Sequence, residues 1–459
     1  MQTLRTQDYF ASTAFLPGGW ASDVLITVDE AGWITKVQPR QSCGAATRLA
    51  GAVMPGMPNL HSHAFQRAMA GLAEGTTGEK DSFWTWRDVM YRFLEKLTVE
   101  DQQAIAAQLY VDMLKAGYTS VGEFHYLHHQ PDGAPYEDRA LASHHIVRAA
   151  QETGIAITHM PVFYACSGFG GQKPTSSQKR FINNEMEILD IISGLASAYQ
   201  GDPQVTIGLA HHSLRAVTPP MLQDVTRVMH SSTPIHIHIA EQTKEVDDCI
   251  AWSGCRPVEW LLDNVDVGTH WCLVHATHMN ESETRDLARS GAVAGLCPTT
   301  EANLGDGLFN LPDYMREGGR FGIGSDSHIS VSMIEELRLL EYGQRLMRRE
   351  RAVTKMPGQA STGAALYRAA LAGGAQALGR STGAIEAGKR ADFIALDLDN
   401  PAFTGKREDF IFDTMIFASI VNPIRDVIAG GQHVVKNFRH KAEDEIAQTY
   451  KKTLERLLG

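Results

Sequence analysis

Apolar residues recur in short runs through the middle of the chain, and helix-like segments separate these runs. Runs of about four to eight apolar residues bounded by turn signals are typical of buried strands. Seven runs are predicted strands, at residues 119–124, 155–158, 205–209, 234–239, 271–274, 292–296 and 321–324. An eighth, at residues 52–55, precedes His61. Eight strands alternating with helices predict an α/β fold with a closed (β/α)8 barrel, the TIM barrel.

The two ends of the chain have a different pattern, in which apolar and polar residues alternate. The alternating segments are residues 23–29, 32–37, 383–397 and 427–435. Alternation of this kind predicts half-buried antiparallel strands. We therefore predict a small β-sandwich domain built from residues 1–55 and 380–459, and a catalytic barrel over residues 56–379.

One helix has a clear start and end. Thr98 and Asp101 have the spacing of a capping box, and Gly117 is a helix breaker. The pattern predicts a helix from Thr98 to Gly117 that leads directly into the strand at residues 119–124.

Composition and charge narrow the class of partner. The chain has 459 residues, of which 43% are hydrophobic and 21% charged, as in an ordinary globular protein. Its formal charge of −11 argues against nucleic acid or an anionic membrane surface as a partner, because both need a basic surface. A small anionic substrate remains compatible with this charge if its pocket is locally basic.

Cysteine usage and the N-terminal segment bear on the compartment. The six cysteines include no pair separated by two residues, so disulfides and thiolate zinc sites are not expected. The N-terminus has no apolar signal region, and no run is long enough to span a membrane. We expect a cytoplasmic protein.

Chemically reactive residues follow most of the apolar runs. They are His61 and His63, Glu123, His125 and Tyr126, His211 and His212, His238 and Glu241, His275, and Asp326. A single His or Asp after a strand is usually a turn or cap residue. Here six predicted strands are each followed by such residues. This indicates a site at the carboxyl ends of the barrel strands, where such barrels carry their catalytic groups.

The order of these residues resembles the amidohydrolase superfamily of metal-dependent barrels. The resemblance rests on His61 and His63 after the first strand, on His238 and His275 after the fifth and sixth, and on Asp326 after the eighth. It covers nearly the whole chain, because the terminal segments also resemble the small β-domain of that superfamily.

Four segments resemble one group of the superfamily more closely, the formimidoylglutamate deiminases of histidine degradation. These segments are residues 58–67, 122–126, 212–215 and 236–242. The resemblance implies metal-dependent conversion of N-formimino-L-glutamate to N-formyl-L-glutamate and ammonia. It also suggests a homodimer.

The resemblance implies that His61, His63, His238 and Asp326 bind a metal ion. Residues two apart on a strand point to the same side, roughly 6–7 Å from each other, as a shared ligand role requires of His61 and His63. Three neutral nitrogens and one carboxylate suit Zn²⁺ with a position left for water, although Fe²⁺ or Mn²⁺ would also fit. We expect one ion per chain, because residues 209–212 include no counterpart of the lysine that bridges two metals in other members.

Three residues are predicted to be catalytic: Glu241, His275 and Asp326. Glu241 follows His238 by three residues and is placed to accept a proton from water and return it to the leaving nitrogen, a role worth roughly 10²–10⁴-fold. The alternative for Glu241 is an exposed residue that opens the next helix. The resemblance implies that His275 hydrogen-bonds the attacking oxygen or the tetrahedral intermediate. His236 is expected to lie deeper in the barrel as a hydrogen-bonded core residue.

The resemblance further implies that Arg87, Tyr126, His212 and Arg215 bind the substrate carboxylates, with Gln66 nearby. The physical chemistry agrees, because arginine presents planar paired donors to a carboxylate. Two other functions remain open: a deaminase of an aromatic base or nucleoside, and a non-catalytic metal-binding barrel. Two carboxylate-binding arginines count against the first, and the presence of Glu241 and His275 beside the ligands counts against the second.

Overall fold

The structure is a computed structural model that describes residues 6–72, 74, 83–355 and 358–459. Its strands are β1 Gln7–Leu16, β2 Gly19–Val28, β3 Ile34–Gln38, β4 Thr47–Pro55, β5 Met57–Ser62, β6 Tyr118–His125, β7 Ala156–Phe163, β8 Val205–Ile207, β9 Leu209–Ser213, β10 Ile235–Ile239, β11 Trp271–His275, β12 Val293–Leu296, β13 Arg320–Ile323, β14 Phe393–Leu396, β15 Ile424–Ala429, β16 Gln432–Lys436 and β17 Arg439–His440.

The α-helices in the same part of the chain are α1 Phe83–Leu94, α2 Val99–Lys115, α3 Leu141–Thr153, α4 Glu185–Ala198, α5 Pro219–Val228, α6 Thr243–Ser253, α7 Pro257–Asn264, α8 Glu281–Ser290, α9 Pro298–Leu304, α10 Leu311–Arg316, α11 Met333–Arg348, α12 Thr362–Ala377, α13 Phe410–Phe417 and α14 Glu443–Leu458. Short 3₁₀ turns lie at Ala64–Met69, Ser176–Gln178 and Pro401–Phe403. No helix in these ranges is both long and apolar enough to cross a membrane.

The central strands form the predicted parallel barrel. Its order is β5, β6, β7, β9, β10, β11, β12 and β13, and β8 pairs with β7 beside this path. The first and last strands meet through two backbone hydrogen bonds at their carboxyl ends. Asp326 N donates to His61 O over 3.0 Å, and His63 N donates to Asp326 O over 3.1 Å. The barrel is therefore closed by residues that the sequence predicts as metal ligands.

The strand that carries His61 differs from the prediction. Residues 52–55 belong to β4, which pairs with β1 and β14 in the other sheet. The chain passes through Gly56 into β5, so His61 lies within a strand and His63 directly after it. A Cβ on Gly56 would lie 2.2 Å from Thr119 Cγ2, so glycine is needed where the chain enters the barrel. The sequence pattern did not separate β4 from β5, because two short apolar runs joined by one glycine have the same periodicity as a single strand.

The second sheet is built from both ends of the chain, as the fold prediction requires. Its order is β17, β16, β15, β14, β4, β1, β2, β3. Phe393 faces an apolar core enclosed by the sheet itself, whereas the next residue, Ile394, packs into the core shared with the barrel. The sheet folds over, because a bridge between Trp33 and Arg390 joins its two halves. The domain boundaries at residues 55 and 380 stay predictions.

The predicted helix at residues 98–117 is α2. Asp101 N donates to Thr98 Oγ1 over 3.2 Å, and Thr98 N donates to Asp101 Oδ2 over 2.8 Å, so the capping box is present. The C-terminal helix α14 packs against α2, with an ion pair of 2.8 Å between Lys115 Nζ and Glu443 Oε2. The last helix thus supports the first long helix of the barrel.

Helix α12 lies against β13 and β5. Its backbone comes very close to the barrel: a Cβ on Gly373 would lie 1.9 Å from Phe321 O. At its end, Ala377 O accepts a hydrogen bond of 2.9 Å from His236 Nε2. His236 is thus a buried, hydrogen-bonded core residue.

Gly373 and Gly194 offer a matched pair of glycines inside helices. Gly373→Ala should lower the free energy of unfolding by about 1–3 kcal/mol, because the methyl group overpacks the contact with Phe321. Gly194→Ala in α4 meets no atom within 4 Å and should raise it by about 1 kcal/mol through helix propensity. Chemical denaturation of both variants measures these changes. Equal effects of the two substitutions would contradict the close approach of α12.

Candidate active site

Three histidine side chains converge at the carboxyl end of the barrel. His61 Nε2 lies 3.2 Å from His63 Nε2 and 3.0 Å from His238 Nε2, and all three rings are buried. Asp326 Oδ1 lies 3.5 Å from His61 Nε2 and 3.4 Å from His63 Nε2. Ligands on a tetrahedral zinc ion are separated by about 3.3 Å, given Zn–N distances of about 2.0–2.1 Å. The donor set and its spacing therefore fit one divalent ion.

The second ring nitrogens fix the tautomers of two of these histidines. His63 Nδ1 lies 2.9 Å from Phe124 O, and His238 Nδ1 lies 3.0 Å from His212 O. A carbonyl oxygen can only accept, so each Nδ1 carries the proton and each Nε2 keeps its lone pair. His61 Nδ1 is buried without a hydrogen-bond partner in the described part of the chain.

Burial keeps these rings neutral, as metal ligands must be. It lowers the pKa of His61 to about 3, and it lowers the pKa values of His63 and His238 below their usual range. Asp326 behaves in the opposite way. Burial raises its pKa, but the contacts with His61, His63 and His275 outweigh burial and hold the pKa below the usual value. The site thus combines neutral imidazoles with an ionised carboxylate.

The backbone is strained where the site residues leave their strands. Asp326 has φ of +46° and His275 has φ of +68°, followed by Ala276 at +48°. Non-glycine residues in this region cost on the order of 1–3 kcal/mol each and persist only where the surroundings enforce them. Such strain is typical of functional sites.

Glu241 and His275 lie beside the ligands in the arrangement that proton transfer needs. His275 Nε2 is 3.8 Å from Glu241 Oε1 and 3.8 Å from Asp326 Oδ2. Burial raises the pKa of Glu241 to about 7, which suits a group that must both accept and release a proton near neutral pH. Glu241 is 6% exposed, so it does not fit the alternative of a surface residue that opens a helix.

His275 also contacts a carboxylate that the sequence analysis missed. Its Nδ1 lies 3.2 Å from Glu301 Oε1, and Glu301 is buried at the start of α9. Burial lowers the pKa of His275, but the carboxylates of Glu241 and Glu301 raise it to about 10. The sequence could have indicated Glu301 as a site residue through the polar run at residues 299–301, which follows β12.

One cavity contains the site. The predicted residues that line it are His63, Gln66, Arg87, Tyr126, His212, Arg215, His238, Glu241, His275 and Asp326. His61 is fully buried. The structure therefore brings the predicted substrate-binding residues to the same cavity as the candidate metal ligands.

Several polar groups line this cavity. Gln66 Nε2 donates to Tyr126 OH over 2.9 Å, which leaves Gln66 Oε1 buried without a partner among the described residues. Arg215 is half-buried; desolvation lowers its pKa, but the Glu245 and Glu241 carboxylates more than offset this effect. Arg87 is contributed by α1, and its guanidinium carbon lies 5.7 Å from the ring centre of Tyr91.

Some residues at strand ends do not reach the cavity. Glu123 accepts a hydrogen bond from Tyr110 on α2, and His211 Nε2 contacts Thr226 Oγ1 on α5. His125 packs against His159, with ring centres 5.3 Å apart. These side chains face the helices, because successive residues of a strand point to opposite sides.

Aromatic residues in the cavity wall were also missed. Tyr164 lines the cavity because β7 runs to Phe163, well beyond the predicted strand at residues 155–158. Its ring centre lies 4.5 Å from that of His212. The predicted strand at residues 205–209 is divided into β8 and β9, with the break at Gly208.

Comparison with known proteins agrees with this geometry. Residues 52–434 match the amidohydrolase family. The chain belongs to the amidohydrolase family. An amidohydrolase from Brucella melitensis of known crystal structure is 46% identical, with a TM-score of 0.94 over 99% of this chain and 100% of that one.

Two further relatives differ in how close they are. A formimidoylglutamate deiminase from Pseudomonas aeruginosa is 50% identical over 449 residues, which cover 98% of this chain and 99% of the relative. A crystal structure of an adenosine deaminase from Xanthomonas campestris with bound zinc has a TM-score of 0.82 over 99% of both chains. Its identity is 19%, so it shows the shared amidohydrolase fold alone.

Metal content tests the ligand assignment in this amidohydrolase. His238→Ala should abolish metal retention, because one of the three converging nitrogens is lost. His236→Ala should retain about one ion per chain but unfold at a lower temperature, since it loses the hydrogen bond to Ala377 O. Elemental analysis and thermal unfolding measure both effects. If the two results were exchanged, the wrong histidine would have been assigned.

The role of Glu241 is tested by removing only its charge. Glu241→Gln should retain the metal and the fold but lower kcat by at least about 10²-fold, the usual scale for loss of a general acid or base. Glu137→Gln makes the same change at an exposed position and serves as the control. Steady-state kinetics measure kcat. Turnover close to that of the unmodified protein would assign Glu241 a structural role only.

Proposed function

We propose that this amidohydrolase converts N-formimino-L-glutamate and water to N-formyl-L-glutamate and ammonia, a step of histidine degradation. The observation that carries the proposal is a single cavity that contains both groups of residues the reaction needs. One group is the histidine cluster with Glu241, and the other includes two arginines, Arg87 and Arg215. The Pseudomonas aeruginosa relative, itself a formimidoylglutamate deiminase, supports the same reaction.

The metal we propose is one Zn²⁺ per chain, held by His61, His63, His238 and Asp326. Nitrogen-rich sites of this kind favour zinc, and Fe²⁺ and Mn²⁺ are the alternatives. When bound, the ion lowers the pKa of a water molecule towards about 7 and so supplies a nucleophile at neutral pH.

Glu241 transfers the proton in this reaction. Its carboxylate accepts a proton as the water oxygen attacks the formimino carbon and forms the tetrahedral intermediate. It returns that proton to the terminal nitrogen, and it then carries the remaining proton of the attacking oxygen to the same nitrogen as the C–N bond breaks and the C=O bond forms, so that this nitrogen leaves as ammonia. His275 Nε2, 3.8 Å from Glu241, donates a hydrogen bond to the attacking oxygen. Its second nitrogen faces Glu301, which holds the ring in this orientation.

The substrate is oriented by its two carboxylates. Arg87 and Arg215 bind them, and Tyr126 and His212 add hydrogen bonds. Gln66 Oε1, buried and without another partner in the described part of the chain, accepts an N–H of the substrate. Charged hydrogen bonds of this kind are strong in a cavity that excludes water.

Orientation decides which nitrogen leaves. The formimino carbon is bonded to two nitrogens, and the intermediate can expel either one. With both carboxylates bound, the nitrogen of glutamate is held on the arginine side. The terminal nitrogen then faces Glu241 and receives the proton, so ammonia is released and not formamide.

We also propose a cytoplasmic homodimer that acts on a small anionic substrate, without a nucleic-acid or membrane partner. The formal charge of −11 supports the last two points. Leu346 and Met347 on α11, with exposed fractions of 81% and 49%, offer an apolar surface for a second copy.

Product analysis tests the reaction directly. Incubation with N-formimino-L-glutamate should give N-formyl-L-glutamate and ammonia, both identified by NMR. Guanine, cytosine and adenosine in the same assay should release no ammonia, because none has the carboxylates that Arg87 and Arg215 bind. If the products were glutamate and formamide, the proposed position of Glu241 beside the terminal nitrogen would be wrong. Ammonia from a base instead would support the aromatic deaminase.

Arginine variants provide the matching test of substrate orientation. Arg87→Met and Arg215→Met should each lower kcat/KM about ten-fold or more, the scale of a lost charged hydrogen bond. Arg227→Met changes an exposed arginine and should have no effect. The loss should be much smaller for a substrate analogue that lacks the carboxylate bound by the altered arginine.

A further inference from the structure

A buried chain of hydrogen bonds lies directly behind the two segments that carry candidate metal ligands, His61–His63 and the segment around Asp326. We call these two segments the ligand loops. Asn59 Nδ2 is 2.6 Å from Ser325 Oγ, and Ser325 Oγ is 3.0 Å from His328 Nδ1. His328 Nε2 is 3.1 Å from Ser62 Oγ, which is 2.6 Å from Glu123 Oε2. All five residues are at most 1% exposed. We call these five residues the closure network.

The two end residues of the closure network, Glu123 and Asn59, determine which atom donates in each of its hydrogen bonds. The Glu123 carboxylate only accepts, so the Ser62 hydroxyl donates to it and must accept from His328 Nε2–H. At the other end, Asn59 Nδ2 donates to Ser325 Oγ, so the Ser325 hydroxyl donates to His328 Nδ1. The chain is complete only if His328 is neutral and carries its proton on Nε2.

The closure network joins the two loops that supply three of the four candidate ligands. Ser62 lies between His61 and His63, whereas His328 is two residues after Asp326. Their side chains connect these loops across the seam where the barrel closes. Glu123 also accepts a hydrogen bond of 2.7 Å from Ala64 N, directly after His63.

We propose that Ser62, His328 and Glu123 are positioning residues that set the distance of Asp326 from His61 and His63 and thereby the metal affinity. None of the three contacts the cavity. They act through the ligand loops, and His328 makes the connection between them. The inference rests on the metal site of the proposed function, and it concerns how firmly that metal is held.

Two features explain why such positioning is needed. Asp326 has φ of +46°, a conformation that the chain leaves unless other bonds enforce it. The two backbone hydrogen bonds between Asp326 and the His61–His63 segment connect only its main chain. Groups behind a metal site that orient its ligands typically change metal affinity by about 10–100-fold when removed.

The rate of metal release to a chromophoric chelator tests the proposal. His328→Leu should release the ion about ten-fold faster or more, because the connection between the loops is lost. His440→Leu is the matched control. His440 is also buried, its Nε2 donates to Thr153 O and its Nδ1 accepts from Ala442 N, but it lies in the terminal sheet. It should lower the unfolding temperature of the metal-free protein and leave metal release unchanged.

Two milder variants keep the test decisive if His328→Leu does not fold. His328→Gln retains an N–H that can donate to Ser62 and should release metal at a rate between those of the Leu variant and the unmodified protein. Ser62→Ala should accelerate release by about two- to ten-fold, the range for a lost neutral hydrogen bond. Combining Ser62→Ala with His328→Gln should give less than the product of the two single effects, because both act through one chain.

The outcomes distinguish this inference from the proposed function. Metal content of the unmodified protein is measured first, and a protein without bound metal would overturn the metal site itself. If that protein binds one ion per chain but the His328 and Ser62 variants release it at the unmodified rate, the closure network has a structural role only and the inference is wrong.

Discussion

The barrel closes through the backbone of residues that also form the candidate metal site. Two backbone hydrogen bonds connect Asp326 to His61 and His63 and help to join the end of the last strand to the first. A closed barrel brings all eight strand ends to one rim, so the ligands from β5 and β10 can meet only if this seam holds. Closure of the fold and assembly of the site therefore depend on the same residues.

The protein is acidic overall but has two arginines in its cavity. Its formal charge is −11, yet Arg87 and Arg215 line the cavity beside Glu241 and Asp326. Charges out of water are costly unless they are paired, and the half-buried Arg215 has the Glu245 and Glu241 carboxylates near it. Under the proposed function, a substrate carboxylate would enter a group of charges that is already arranged.

Much of this arrangement could be predicted from the sequence, because parallel strands place reactive residues at the same end of the barrel. The strand pattern placed His61, His63, His238 and Asp326 at one end of the barrel, and the family resemblance singled them out as metal ligands. Features that depend on strand length or on contacts distant in sequence could not be predicted. Tyr164 required the full extent of β7, and the contact of Glu301 with His275 depends on how α9 lies against β11. The division between β4 and β5 could not be predicted, because a single glycine does not change the hydrophobic periodicity.

The terminal sheet has a consequence for biosynthesis. Strand β4 pairs with β14, in a register that aligns Pro55 with Phe393. During translation, β4 leaves the ribosome long before its partner, and about 340 residues at about 5–20 residues per second correspond to a delay on the order of 20–70 s. Throughout that time the edge of β4 presents unpaired backbone groups, which can bind other extended chains. The nascent protein is thus most exposed to misassembly at its first sheet, and a chaperone that covers β1 to β4 until residue 393 emerges would protect the whole molecule.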